Sequence, residues 1–196
     1  MHRRFASTTA IAVLAAVVLA GCSKEDDTTA EGDHDASAVP AGVTKQYDVL
    51  ADELAEKGQT VESGEWTVNL ITEAAEPWHT VHSGGHTAYR DPAKGETNHI
   101  EIIPVETATG RIVPDVPITL AVLDGAGKVV QELELNFYYS TFFHYANNFS
   151  IPEAGSYTLR VKVEAPTFNR HGDADETPPL AEGVEVEFTD VELGPQ

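Results

Sequence analysis

Pro152-Glu153-Ala154-Gly155-Ser156-Tyr157-Thr158-Leu159-Arg160-Val161-Lys162-Val163-Glu164 is the stretch whose pattern decides the fold. Tyr157, Leu159, Val161 and Val163 alternate with Thr158, Arg160, Lys162 and Glu164. A period of two puts the apolar set on one face of a strand and the polar set on the other. Pro152 and Gly155 mark a turn just ahead of it. One apolar face and one wet face is the signature of an antiparallel sheet.

The same period recurs on both sides. Trp66, Val68 and Leu70 share a face within Glu65 to Glu73, and His99 to Val105 is rich in isoleucine. Val116 to Leu123 alternates up to Asp124-Gly125-Ala126-Gly127, a hairpin turn. Val129, Gln131, Leu133 and Leu135 resume the alternation, and Val184, Val186 and Phe188 end it. Short strands at close spacing, with no convincing helix between them, predict an all-β domain. The predicted fold is an immunoglobulin-like antiparallel β-sandwich. Gly155-Ser156-Tyr157 entering its strand looks like the tyrosine corner of such sandwiches.

One helix is predicted, ahead of the strands, over residues 44–60. Tyr47, Leu50, Ala51 and Leu54 fall on one helical face. Thr44 is suited to cap the start, and Gly58 to end it in a left-handed conformation. Residues 61–196 then form the sandwich. Upstream, residues 22–43 carry Glu25, Asp26, Asp27, Glu31, Asp33 and Asp35 with almost nothing apolar, which predicts a disordered acidic tether holding His34.

Residues 1–21 have the form of a leader. His2-Arg3-Arg4 precedes an apolar run from Ala10 to Ala20, shorter than the roughly 20 residues of a spanning helix. The run ends in Leu19-Ala20-Gly21-Cys22, which resembles the lipobox of bacterial lipoproteins. The expectation is lipidation at Cys22, an anchor made of acyl chains, and a working position in the cell envelope outside the cytoplasm.

Composition narrows the partners. The 196 residues hold 12 Lys+Arg against 32 Asp+Glu, a formal charge of -20. The leader contains Arg3 and Arg4 and no acid, so the remainder is more acidic still. Such a surface repels phosphate backbones, which excludes nucleic acid, and attracts cations. A single cysteine excludes a disulfide framework and multi-cysteine metal centres.

Eight histidines are present. On the strand at His99-Ile100-Glu101 the imidazole and carboxylate share a face about 7 Å apart, close enough to flank a cation, although surface strands also carry such pairs. His144, in Phe142-Phe143-His144-Tyr145-Ala146-Asn147-Asn148, reads on its own first as a histidine bonded to backbone at the edge of an aromatic cluster and second as a ligand. His171 lies in the polar segment Asn169-Arg170-His171-Gly172-Asp173. His79, His82 and His86 occupy a Gly-containing loop, where His79 with His82, or His82 with His86, can hold an ion if the loop curls. Glu73 and Glu76 lie just before it.

Asn98-His99-Ile100-Glu101, then a hairpin, then His144-Tyr145-Ala146-Asn147, then Arg170-His171-Gly172-Asp173 resembles the periplasmic iron-transport family in order and spacing. That family includes copper-binding iron-uptake proteins and the treponemal metal-binding lipoprotein antigen. The resemblance spans roughly Trp66 to Phe188. It implies an immunoglobulin-like sandwich, commonly a homodimer, that binds copper, iron or zinc beside a membrane iron permease. It implies His99, Glu101, His144 and His171 as metal ligands. The family also uses a methionine shortly before the His-Tyr motif. Here that stretch is Asn136-Phe137-Tyr138-Tyr139-Ser140, and the one methionine of the chain is Met1. Without a thioether the donor set suits Cu(II), Zn(II) or Fe(II) rather than Cu(I). The His79–His86 loop is the candidate replacement or second site.

The expected function is therefore capture of a transition-metal ion and assistance to iron uptake, without catalytic turnover. Affinity is expected to fall below about pH 6 as histidines protonate. The competing class is an envelope adhesion or interaction module, since a sandwich alone hosts many functions. A hydrolase is disfavoured: there is no Gly-x-Ser-x-Gly, no spare cysteine and no His-Glu-x-x-His.

Overall fold

The computed structural model describes residues 39–195. Cys22, the leader and all of the tether before residue 39, His34 included, lie outside them. In chain order the elements are α1 (Ala41–Lys57), β1 (Gly58–Ser63), β2 (Trp66–Ala74), β3 (Trp78–Val81), β4 (Thr87–Arg90), β5 (Asn98–Glu106), β6 (Arg111–Ile112), β7 (Ile118–Leu123), β8 (Val129–Glu134), β9 (Asn136–Tyr139), β10 (Phe143–Phe149), β11 (Gly155–Val163) and β12 (Val184–Leu193).

Among the described residues the strands form two main antiparallel sheets. One runs β1-β2-β5-β10-β9, with β6 paired to β5, and the other runs β12-β11-β7-β8. Their facing sides enclose one apolar core that includes Val68, Ile100, Ile102, Leu120, Phe149, Leu159 and Phe188. This is the sandwich that the alternating patterns predict. β11 lies in the middle of its sheet, and the Tyr157 hydroxyl donates to the Glu153 carbonyl at 2.7 Å, closing the predicted corner. At the β7–β8 turn the Asp124 carboxylate accepts from the amides of Ala126 and Lys128. Phe149 is wholly buried at the end of β10. Phe149→Ala should cost about 3–5 kcal/mol, read as a lower urea midpoint. A loss under about 1 kcal/mol would contradict this packing.

β5 departs from simple alternation because both of its faces are covered. Ile100 and Ile102 enter the core between the sheets. Ile103 and Val105 join Ile71, Phe142 and helix residue Leu50 in a second apolar cluster on the outer face of the same sheet. Helix α1 covers that outer face through Val49, Leu50 and Leu54, and the Tyr47 hydroxyl accepts from the Ile112 amide.

The helix differs from its predicted bounds. It begins at Ala41, after Pro40 and with no side-chain cap, so Thr44 lies inside it. Pro40, with φ of -54°, leads into the first turn, and its carbonyl accepts from the amides of Val43 and Thr44. Residues 58–60, predicted as helix, open β1, with Gly58 in an extended conformation (φ -102°). Glycine is still needed there, because a Cβ would come within 2.7 Å of the Leu54 backbone. The His79–His86 segment is partly regular: His79 lies on β3, while His82 and His86 lie in the Gly-containing turn that joins β3 to β4. Gly84 and Gly85 take φ of 90° and 80° at its tip, a geometry that β-branched or bulky residues resist.

Candidate metal centre

The outer face of β5 continues past Ile103 to Glu101 and His99, and alternation places all three on one side. Beside it, β10 aligns Ala146 with Glu101 and Asn148 with His99. His144 is two residues before Ala146, so it projects from the same face next to Glu101. Ala146, directly opposite the carboxylate, leaves the space into which both imidazoles turn. On the other flank, β2 places Ile71 opposite Glu101 and Glu73 opposite His99.

The three side chains converge. The Nε2 atoms of His99 and His144 lie 3.8 and 3.9 Å from the same Glu101 oxygen, Oε1. One donor atom from each residue falls within 4.8 Å of the others, and all three residues are buried. These separations are long for hydrogen bonds. They suit a shared ion, since metal–N and metal–O bonds of about 2.0–2.2 Å span up to about 4.2 Å between donors.

The hydrogen-bond network fixes which imidazole nitrogen is free. The Asn148 amide nitrogen donates to the Glu76 carbonyl (2.8 Å) and to Glu96 Oε2 (3.1 Å). Both partners only accept, which identifies the amide oxygen as the atom facing His99. That oxygen, which also receives the Glu76 amide, lies 2.8 Å from His99 Nδ1. Nδ1 must therefore carry the proton. His144 Nδ1 likewise donates to the Phe142 carbonyl at 3.3 Å. Each Nε2 is left with a lone pair aimed toward Glu101, the arrangement that outer partners impose on metal-ligating histidines.

Burial sets the protonation states. It lowers His99, and it lowers His144 to about 4, so both imidazoles stay neutral at physiological pH. Burial also raises Glu101 to about 8, helped by the negative charges of Glu73, Glu53 and Glu76. Without an ion, Glu101 keeps its proton at neutral pH. A cation reverses that preference by supplying the missing positive charge.

Aromatic side chains wall the centre. Tyr138, paired with His144 across β9 and β10, stacks on its ring at 5.5 Å, and Trp78 lies 6.2 Å from the ring of His99. They line a cavity of about 430 Å³ together with His79, His99 and His144. Tyr138 comes from the stretch that lacks the family's methionine, and burial holds its phenol up to about 12. A neutral phenol is a poor stand-in for a thioether. Trp78 is held in turn by Arg90, whose guanidinium sits 4.1 Å from its ring centroid and pairs with Glu96. Arg90, Glu96, Asn148 and His99 thus form one chain of contacts from the β3–β4 hairpin to a ligand.

The other candidates lie elsewhere. His171 is exposed and not part of the cluster. Its neighbour Arg170 donates to the Leu180 carbonyl and lines a separate cavity with Glu106 and Arg111, at the far end of β5. Glu106 lies seven positions along the strand from His99, roughly 23 Å away. A single chain therefore does not add His171 to this centre. Glu73 pairs with Lys57, and Glu76 holds Asn148 through its backbone. The residues missed from sequence were Asn148, Trp78 and Tyr138. Asn148 follows His144 by four, an even spacing that signals the same strand face. Asn148→Ala should weaken metal binding about 10–100-fold by freeing the His99 ring. Calorimetric titration with Cu(II) checks this, and unchanged affinity would remove Asn148 from the account.

Sandwich and centre together define a β-fold protein with a candidate metal-binding centre on the outer face of one sheet. The family described as Fe2+ transport protein matches residues 95–193, and the chain belongs to it. Among solved structures, FetP of uropathogenic Escherichia coli strain F11 is similar at 21% identity and a TM-score of 0.51, over 70% of this chain and 96% of that one. A copper-bound FetP variant is similar at 16% identity and 0.55, over 71% and 91%. Copper-reconstituted P19 of Campylobacter jejuni is similar at 17% and 0.53, over 69% and 95%. No curated protein sequence matches the chain.

Proposed function

We propose that this protein captures a divalent transition-metal ion outside the cytoplasm, as a lipid-anchored carrier that assists iron uptake through a membrane permease. The observation that carries this reading is the buried His99/Glu101/His144 centre, with two free Nε2 atoms turned to one carboxylate oxygen. Two imidazoles and a carboxylate accept Cu(II), Fe(II) or Zn(II). The membership in the Fe2+ transport family supports iron as the cargo, and the copper held by FetP and P19 supports copper as a second ion of the same centre. The role is carriage without turnover. FetP as isolated was expressed in the periplasm, which supports a periplasmic position here. Lipidation at Cys22 would hold the acidic domain at the membrane, where its field concentrates cations.

The family resemblance assigns His171 to the ligand set, while one chain anchors its loop far from the centre. A homodimer satisfies both, with the loop of one chain closing the partner's site. Exposed Phe137, Tyr139, Phe143 and Val81 around the cavity mouth suit a covered face. The test is uptake of labelled iron by iron-limited cells. Cells carrying the His99→Ala/His144→Ala protein should take up iron no faster than cells lacking the chain. Uptake at the unmodified rate would end the transport reading in favour of an envelope interaction module. His171→Ala should weaken metal binding only under conditions where sedimentation shows a dimer.

A further inference from the structure

We propose that the tip of the β3–β4 hairpin carries a second metal site, formed by His82 and His86, for one exposed borderline divalent ion such as Cu(II). The hairpin lies outside the span that matches the transport family. Its register pairs Trp78 with Arg90, His79 with Tyr89, Thr80 with Ala88 and Val81 with Thr87. One step further, His82 meets His86, and the His82 amide donates to the His86 carbonyl at 2.8 Å. The Gly85 amide donates to the His82 carbonyl at 3.1 Å, so Gly85 is the extra residue of a bulge and His82 faces His86 directly. Opposed residues in such a pair have Cβ atoms about 4.5–5.5 Å apart on one face, within reach of a common ion.

Alternation separates this pair from His79. His82 and His86 share a face with Trp78 and Arg90, and His79 lies on the opposite one with its ring 5.2 Å from that of Tyr89. Of the two pairings open in the sequence, only His82 with His86 is on one face. Both are exposed, so water completes the coordination, and two imidazoles rank Cu(II) above Zn(II) and Fe(II). The site is independent of the buried centre, although His79 and Val81 of the same hairpin border that cavity.

The test is Cu(II) titration of the full chain, followed by electron paramagnetic resonance for nitrogen ligation. The unmodified protein should bind one equivalent more than its His82→Ala/His86→Ala variant, and His79→Ala should leave the count unchanged. In a His99→Ala/His144→Ala background the hairpin signal should persist, and it should vanish when His82→Ala is added. An equal count with and without His82 and His86, or an equal loss in His79→Ala, would overturn the site. Because these residues are exposed, the first comparison holds even if the buried variants fold poorly.

Discussion

His144→Ala should lower Cu(II) affinity by roughly a hundred- to a thousandfold, and His99→Ala should do the same. Structural zinc centres with four ligands contribute about 10–16 kcal/mol of apparent binding energy, or about 2.5–4 per ligand. Each histidine here is one of three converging donors, so losing one removes a large share of the bond energy. The imidazoles are also rigid: His99 is tied to Asn148, and His144 is tied to Phe142 and stacked on Tyr138. The ring therefore gives up little further freedom on binding. Competition titration against a chelator of known affinity measures the change. Circular dichroism and a melting curve separate lost ligation from lost fold. A change below about tenfold in a well-folded His144→Ala protein would place the ion elsewhere.

The second large effect is a pH dependence carried by Glu101. Its folded-state value is about 8, and the ion takes the ionised form. Below about pH 8 binding must expel that proton, so affinity falls up to tenfold per pH unit. The ligand set read from sequence predicts a fall below about pH 6, through the histidines. Burial changes that by holding His144 at about 4 and lowering His99. Calorimetry in buffers of different ionisation enthalpy should find close to one proton released per ion at about pH 6.5, fading above about pH 9. Glu101→Gln should abolish the release and weaken binding. Release unchanged in Glu101→Gln would assign the proton to another group. In the metal-free protein the raised carboxyl makes folding stability fall as pH rises from about 4.5 to about 8. A bound ion should cancel that loss.

Much of this was legible in the sequence, because strands with one wet face announce themselves. Tyr157 to Val163 and Val184 to Phe188 are such strands, and both were located. β5 was harder: its Ile100/Ile102 and Ile103/Val105 sets face opposite ways, so its sequence shows an apolar run without alternation. The run still put His99 and Glu101 on one face, since a strand leaves no other choice. From sequence only the family resemblance joined them to His144; the physical reason is register, which the pairing of Ala146 with Glu101 supplies. The hairpin at Trp78–Arg90 was missed because its strands are four residues long and mostly exposed, with too little apolar pattern to separate them from a loop. His171 was assigned by resemblance to a motif, and a motif does not say which chain supplies it.

The position of His99 and Glu101 on β5 has a consequence for release. That strand is bonded on both sides and packed on both faces, so its amide hydrogens should be among the last to exchange with solvent. A centre mounted on such a strand has no hinge of its own and cannot let go by changing shape. In the proposed carrier role the ion would leave by ligand exchange: an incoming donor would enter through the aromatic mouth and take it one bond at a time. Hand-off in that role is set by the chemistry of the receiver, and the site keeps its geometry through it.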